Sequence, residues 1–259
     1  MQQETGKTVK KSAPPAVKKP NEVALAEEFS AFEGEVVDTK DLILPKALLM
    51  HPTSDLVKKG VRNIGEIIKS NTEEVIAKRG ETFEVIVFEK WKEWRIMKKN
   101  PQTGRFEFVR LENWTPENDN LPWEFKEGQD EFRRDKTMNF YGVLAGEAEA
   151  GTAFPIKLSF VRTAFRAGHK LADAYARALM NKQPPTGQIF KIGAELKEGK
   201  GESFFVFTVS PGNPSTEKQR QAAGNWKKIV RQGKDANTIK DHEVDDGSET
   251  VNTTSTEEF

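Results

Sequence analysis

The chain has no cysteine, three histidines and only two tyrosines in 259 residues. Without cysteine there is no disulfide framework and no thiolate chemistry, which fits a reducing, cytoplasmic setting. His51, His169 and His242 are far apart in the chain, and no Gly-rich phosphate loop, nucleophile elbow or HExxH motif occurs. An enzyme is therefore not expected, nor is a cofactor. Carboxylates are plentiful but never follow a DxDxDG-like spacing, so Asp119 and Asp130 are expected to be solvated rather than metal ligands. No apolar run is long enough to span a bilayer and no signal-peptide h-region is legible, so no membrane partner is expected. Hydrophobic residues make up 36%, too few for a chain folded end to end.

Net charge is missing as well, but the zero hides an asymmetry. Asp241–Phe259 carries seven acids and no Lys or Arg, so the other residues sum to +7. Met1–Pro20 holds five lysines against one acid. A basic arm (1–20) and an acidic tail (234–259), both expected to be disordered, flank one domain over 21–233. That distribution suggests a polyanionic partner, with the tail as an internal competitor for the same cations.

What is present in quantity is aromatic and β-branched residues at strand spacing. Thr82–Trp114 organises the domain. Phe83, Val85 and Val87 alternate with Glu84, Ile86 and Phe88, which predicts a strand apolar on both faces. Asn100–Gly104 reads as a turn, with Pro101 fixing φ. Arg105–Leu111 reads as a second strand, with Phe106, Phe108 and Arg110 on one face and Val109 and Leu111 on the other. Trp91, Trp94 and Trp114 lie between and after these strands, among cations. Trp91, Trp94, Phe106, Phe108 and Trp114 are candidates to stack on bases; Lys92, Arg95, Lys98, Lys99, Arg105 and Arg110 are candidates to pair with phosphates. The competing reading is that such aromatics form core and such lysines the solvated face.

The remaining elements are shorter. Asn21–Phe32 is a predicted helix, and Gly34–Asp38 and Leu42–Met50 are predicted strands, the latter bent at Pro45. Asn63–Lys69 and Glu73–Ala77 form a predicted hairpin. Thr115–Arg134, which contains Trp123 and Phe125, reads as a long polar loop. Strands follow at Thr137–Glu147 and Ala153–Thr163. A helix over Thr163–Asn181 sets Phe165, Ala172, Tyr175, Ala176 and Leu179 on its buried stripe. Arg162, Arg166, Lys170 and Arg177, with His169, lie roughly opposite and extend the basic path. Gln188–Leu196 and Ser203–Ser210 form a hairpin. A last helix, Thr216–Gln232, opens on a Thr216/Gln219 capping box, buries Ala222, Trp226, Ile229 and Val230, and stops at Gly233.

The tail, DHEVDDGSETVNTTSTEEF, on a basic, β-rich body with several tryptophans resembles those of bacterial and phage single-stranded DNA-binding proteins. Its T7-like plan is an OB-fold body with an acidic C-terminal tail ending in Phe. The stretch LILPKALLMHPTSDLVKKG, followed by GEII, also resembles a group of phage early proteins. The likeness is one of plan over most of the chain. It departs in the tail, where a Ser/Thr-rich stretch separates two acidic clusters. It implies a mainly β, α+β fold: an elaborated OB-fold-like antiparallel barrel with more than five strands. It implies a sequence-independent single-stranded DNA-binding protein that supports phage DNA replication and recombination in the host cytoplasm; a homodimer is left open. Glu257, Glu258 and Phe259 would form the tip that recruits replication or recombination enzymes. The alternatives from other classes are a phage structural or assembly protein that does not bind DNA, and a strand-annealing recombinase or nuclease accessory.

Overall fold

The computed structural model describes residues 42–199, 202–235 and 240–241. The basic arm, the segments Asn21–Phe32 and Gly34–Asp38, and most of the tail, with Glu257, Glu258 and Phe259, lie outside the described residues; Lys234–Asp235, expected as disordered tail, instead end the last helix, and Lys240–Asp241 form a short strand. Twelve strands are described: β1 (Ile43–Leu44), β2 (Ala47–Leu49), β3 (Ile67–Lys69), β4 (Val75–Ala77), β5 (Thr82–Lys99), β6 (Phe106–Asn113), β7 (Glu124–Glu127), β8 (Asp130–Leu144), β9 (Pro155–Val161), β10 (Gln188–Gly199), β11 (Glu202–Pro214) and β12 (Lys240–Asp241). The helices are α1 (Asp55–Lys58), α2 (Ala145–Ala150), α3 (Phe165–Met180) and α4 (Glu217–Asp235). The fold is mainly β with antiparallel sheets and a few helices, as the sequence predicts.

The largest sheet is built on two long strands. Seven strands run β11-β10-β5-β8-β7, with β6 also paired to β5 and β9 to β8. The proximal half of β5 pairs with β10 through Thr82–Ile86, and its distal half pairs with β6 through Glu93–Lys99. On the other side, β8 pairs with β9 proximally and with β7 distally. No pairing among the described residues joins β11 to β7 or β9, so the sheet stays open and the expected OB-like barrel does not close. Small sheets flank it: β2-β3-β4, and the parallel pair of β1 with β12.

Each proximal face carries its own core. The back face, with Val85, Val87, Phe140, Leu158, Phe160 and Phe190, packs against Leu171, Ala172 and Tyr175 of α3. The front face, with Ile86, Phe88, Tyr141, Val143 and Ile189, packs against α2 and against Ala223 and Val230 of α4. This two-sided burial explains why Phe83–Phe88 is apolar at every position but one. At Gly142 a Cβ would lie 2.7 Å from Val85 Cγ2 and 2.8 Å from the Ile86 carbonyl oxygen. Strand propensity alone would favour valine there, but the backbone oxygen cannot yield. Gly142→Val is expected to lower stability by about 3 kcal/mol, read as a shifted urea midpoint with unchanged m.

Several boundaries differ from the sequence reading. Leu42–Met50 splits into β1 and β2, because Pro45 cannot donate to a ladder; its carbonyl instead accepts from Lys157 N at 2.8 Å. β3 starts at Ile67, since Glu66 turns back to accept from Asn63 N and Nδ2. β5 is one continuous 18-residue strand rather than a short strand followed by tryptophans. Thr115–Arg134 is not a loop throughout. A 3₁₀ turn at Pro116–Asn118 leads to β7, which turns tightly into β8 at Gly128 (φ +63°). β8 ends at Leu144, where the Ala/Glu-rich segment AGEAEA winds into α2. On α3, Ala167 and Leu171 are buried and Leu179 is exposed, so the stripe is rotated from the one predicted. The Thr216/Gln219 capping box forms in both directions. Gly233 does not stop α4: it lies inside the helix, buried.

Candidate nucleic-acid interface

Past a bulge at Val87/Glu89, β5 alternates with period two, and its aromatic and basic residues therefore divide between two faces. Trp91, Glu93, Arg95 and Met97 sit opposite Asn139, Thr137, Asp135 and Arg133 of β8. Lys92, Trp94, Ile96 and Lys98 sit opposite Met138, Lys136, Arg134 and Phe132. The first set is on the front face and the second on the back. The candidates that look like one cluster in sequence are thus two.

The back-face set is mostly structural. Trp94 is 2% exposed, and its indole N–H donates to Asn118 Oδ1 at 3.0 Å. It packs with Ile96 and Phe132, so it is core and not a stacking surface. Trp114 is half-buried, with Trp94 and Phe165 at ring-centroid distances of 5.6 and 6.1 Å. Lys92 Nζ lies 4.0 Å from its ring centre and Lys136 Nζ 4.9 Å. Lys136 also donates to Asp119 at 2.7 Å, and that hydrogen bond holds the Asp119 carboxyl below its ordinary value. On the front face Trp91 is also partly covered: its ring lies 4.4 Å from Tyr141 and its N–H donates to Glu93 at 3.0 Å.

Several expected phosphate partners are already engaged. Lys98 pairs with Asp130 at 2.7 Å, Lys99 with Glu131 at 2.8 Å, and Arg110 with Glu112 and Glu127 at 2.9 and 3.1 Å. Arg105 sits before β6, at the end of the hairpin turn. Arg166, Lys170 and Arg177 are exposed on α3, which packs on the back face. Arg162 does not join them. It occupies a 3₁₀ turn at φ +49° and donates through Nε to Asp135 Oδ2 at 3.1 Å.

The front face of the distal half gathers the rest. A bulge between Ile96 and Met97 leaves Val109 as the extra residue on β6. It shifts the parity of that strand, placing Leu111 with Phe106 and Phe108 and sending Arg110 to the back. Phe108 is 38% exposed and Leu111 is exposed beside it. The Arg95 guanidinium stands 5.6 Å from the Phe108 ring centre, and Arg133 stands 4.3 Å from Phe106 and 5.6 Å from Trp123. Trp123 is 55% exposed. Neither Trp123 nor Arg133 is a candidate in the sequence, because both fall in the stretch that reads as loop. The alternation of Glu131, Arg133 and Asp135 with Phe132, Arg134 and Lys136 is the signal that marks it as strand.

Beneath these rings lies an ion cluster. Arg133 and Asp135 are each 5% exposed. Arg133 Nη2 donates to Asp135 Oδ2 at 3.2 Å, while its Nε lies 3.1 Å from Oδ1 at an angle too poor for a hydrogen bond. Burial pushes the Asp135 carboxyl above its ordinary value against the pull of Arg133 and Arg95, and burial pulls Arg133 below its own. The guanidinium nevertheless stays charged across the accessible pH range. Exposed rings beside guanidiniums can hold bases by stacking and phosphates by charge-assisted hydrogen bonds. Among the described residues, no group of His, Asp or Glu could hold a metal ion, and no helix is long and apolar enough to cross a membrane. Comparison of the chain with models of known protein families, with curated proteins and with solved structures finds no match.

Proposed function

We propose that the protein binds single-stranded DNA without reading its sequence, on the front face of the distal half of the sheet. The observation that carries this reading is the exposure of Phe108 and Trp123 beside the guanidiniums of Arg95 and Arg133. Every base has a π-face, so stacking on such rings tolerates any sequence. In this reading the chain supports phage DNA replication and recombination, and Glu257, Glu258 and Phe259 recruit partner enzymes. Titration with oligothymidylate, followed by tryptophan fluorescence over a salt series, tests it. Quenching is expected, with log affinity falling against log salt by about 0.7 per phosphate neutralised. An unchanged spectrum at saturating oligonucleotide, with no retention of labelled DNA, would overturn the reading.

The acidic tail supplies a second test. Removing His242–Phe259 takes away six carboxylates and no Lys or Arg, raising the net charge from zero to +6, and spares the pairing of β12 with β1. A tethered polyanion competes at an effective concentration of about 1 mM. The truncated chain is expected to bind single-stranded DNA more tightly, most clearly at low salt, where screening is weak. Deleting Phe259 alone is expected to leave DNA affinity unchanged and abolish capture of a replication or recombination partner. Equal affinity of the truncated and full-length chains at low salt would exclude competition.

A further inference from the structure

We infer that Arg133 and Arg162, fixed by Asp135 and joined by Arg95, form a built subsite for one phosphate group; the inference rests on the strand-binding reading of this face. Among the described residues, Asp135 is the only carboxylate that Arg133 and Arg162 bond, and its Oδ2 accepts from both. Arg95 faces the same carboxylate across the β5–β8 pair, and among the described residues it has no carboxylate at ion-pair distance. Glu124, opposite Arg133 on β7 and exposed, also attracts the Arg133 guanidinium. Three guanidiniums thus converge on one buried carboxylate, while Glu93 and Glu131 on the same face are paired with Lys157 and Lys99. Charge of one sign is in excess where Arg133 is almost fully buried.

The hydrogen bonding is incomplete in the same sense. Arg162 Nη2 is buried and has no hydrogen-bond partner, while Arg133 Nε and Asp135 Oδ1 face each other at 3.1 Å without acceptable geometry, so Arg162 Nη2 is the donor left over. A buried donor left unmade is costly, more so when charged. The Arg162 Nη2 N–H is a donor open to an acceptor that carries negative charge. The backbone of Arg162 adds a further sign, because a non-glycine residue at φ +49° is strained, and the strain delivers its guanidinium to Asp135. Asp135 is a positioning residue: it sits behind the guanidiniums and repels an incoming anion while holding both forks still. The adjoining rings name the ligand class. Phe106 lies 4.3 Å from the Arg133 guanidinium and Phe108 lies 5.6 Å from that of Arg95, so an anion held here has stacking platforms beside it. A phosphodiester with bases on either side fits; inorganic phosphate shares the chemistry but not the stacking.

Arg162→Gln in the full chain tests the subsite, with oligothymidylate over a salt series and with inorganic phosphate in a thermal melt. Arg162→Gln is expected to weaken oligonucleotide binding about tenfold at low salt and to lower the salt slope by about 0.7, one phosphate. Wild-type affinity and slope in Arg162→Gln would overturn the subsite while leaving strand binding intact. If the wild type binds no oligonucleotide but phosphate raises its melting temperature, and Arg162→Gln abolishes that rise, the subsite stands as one for free phosphate and the strand-binding reading falls. No response of the wild type to either probe overturns both. Should Arg162→Gln fail to fold, Arg95→Gln, on a half-exposed side chain with no ion pair to lose, gives the same readout.

Discussion

Replacing Phe108 and Trp123 together with alanine is expected to weaken binding of single-stranded DNA by about 30-fold to 10⁴-fold, with little loss of stability. The reasoning is additive stacking: each ring that holds a base contributes about 1–3 kcal/mol. Both side chains are exposed in the free protein, at 38% and 55%, so removing them opens no cavity. The salt slope should barely move, because no phosphate contact is lost. That separates this double variant from Arg162→Gln, which should change the slope. Fluorescence anisotropy of a labelled oligonucleotide measures the loss, and far-UV circular dichroism confirms that the fold persists. A double variant that binds as tightly as the wild type would remove these rings from the interface and, with them, the front face.

Trp94→Ala is expected to act in the opposite way, lowering stability by about 3–5 kcal/mol while leaving the front face unaltered in any molecule that remains folded. Trp94 is nearly inaccessible, packs with Ile96 and Phe132, and donates its indole N–H to Asn118. Asn118 in turn caps its own 3₁₀ turn, accepting from Thr115 N at 2.8 Å and donating to the Asn113 carbonyl at 2.8 Å. Losing the indole therefore leaves a cavity and loosens the turn that leads toward β7. Urea unfolding gives the magnitude. A Trp94→Ala protein as stable as the wild type but unable to bind DNA would show that the ring is reached by the ligand, contrary to its burial.

The sequence carries the local part of this protein. Alternation in Thr82–Phe88 and Arg105–Leu111, the hairpin of Gln188–Leu196 with Ser203–Ser210, the turn at Asn100–Gly104 and the capping box at Thr216/Gln219 are legible because each depends on neighbours a few residues away. The mainly β, α+β class follows from them. Aromatics and cations crowded into Thr82–Trp114 also locate the stretch that holds most of the candidate site. Beyond that, strand parity decides, and parity is not local. Whether Trp91 and Trp94 share a face depends on β5 continuing unbroken past Glu89, which its pairing with β8 enforces. Whether Arg110 or Leu111 accompanies Phe108 depends on a one-residue bulge against β5. Trp123 and Arg133 enter the site because β7 folds back on β8, although Thr115–Arg134 is polar enough to read as loop. Arg162 leaves the helix face suggested by its spacing because Asp135, 27 residues earlier, captures it. Composition and spacing determine which residue types are available and where strands form. Only tertiary pairing determines which of them meet, since a side chain's face is set by register with a distant partner rather than by its own neighbours.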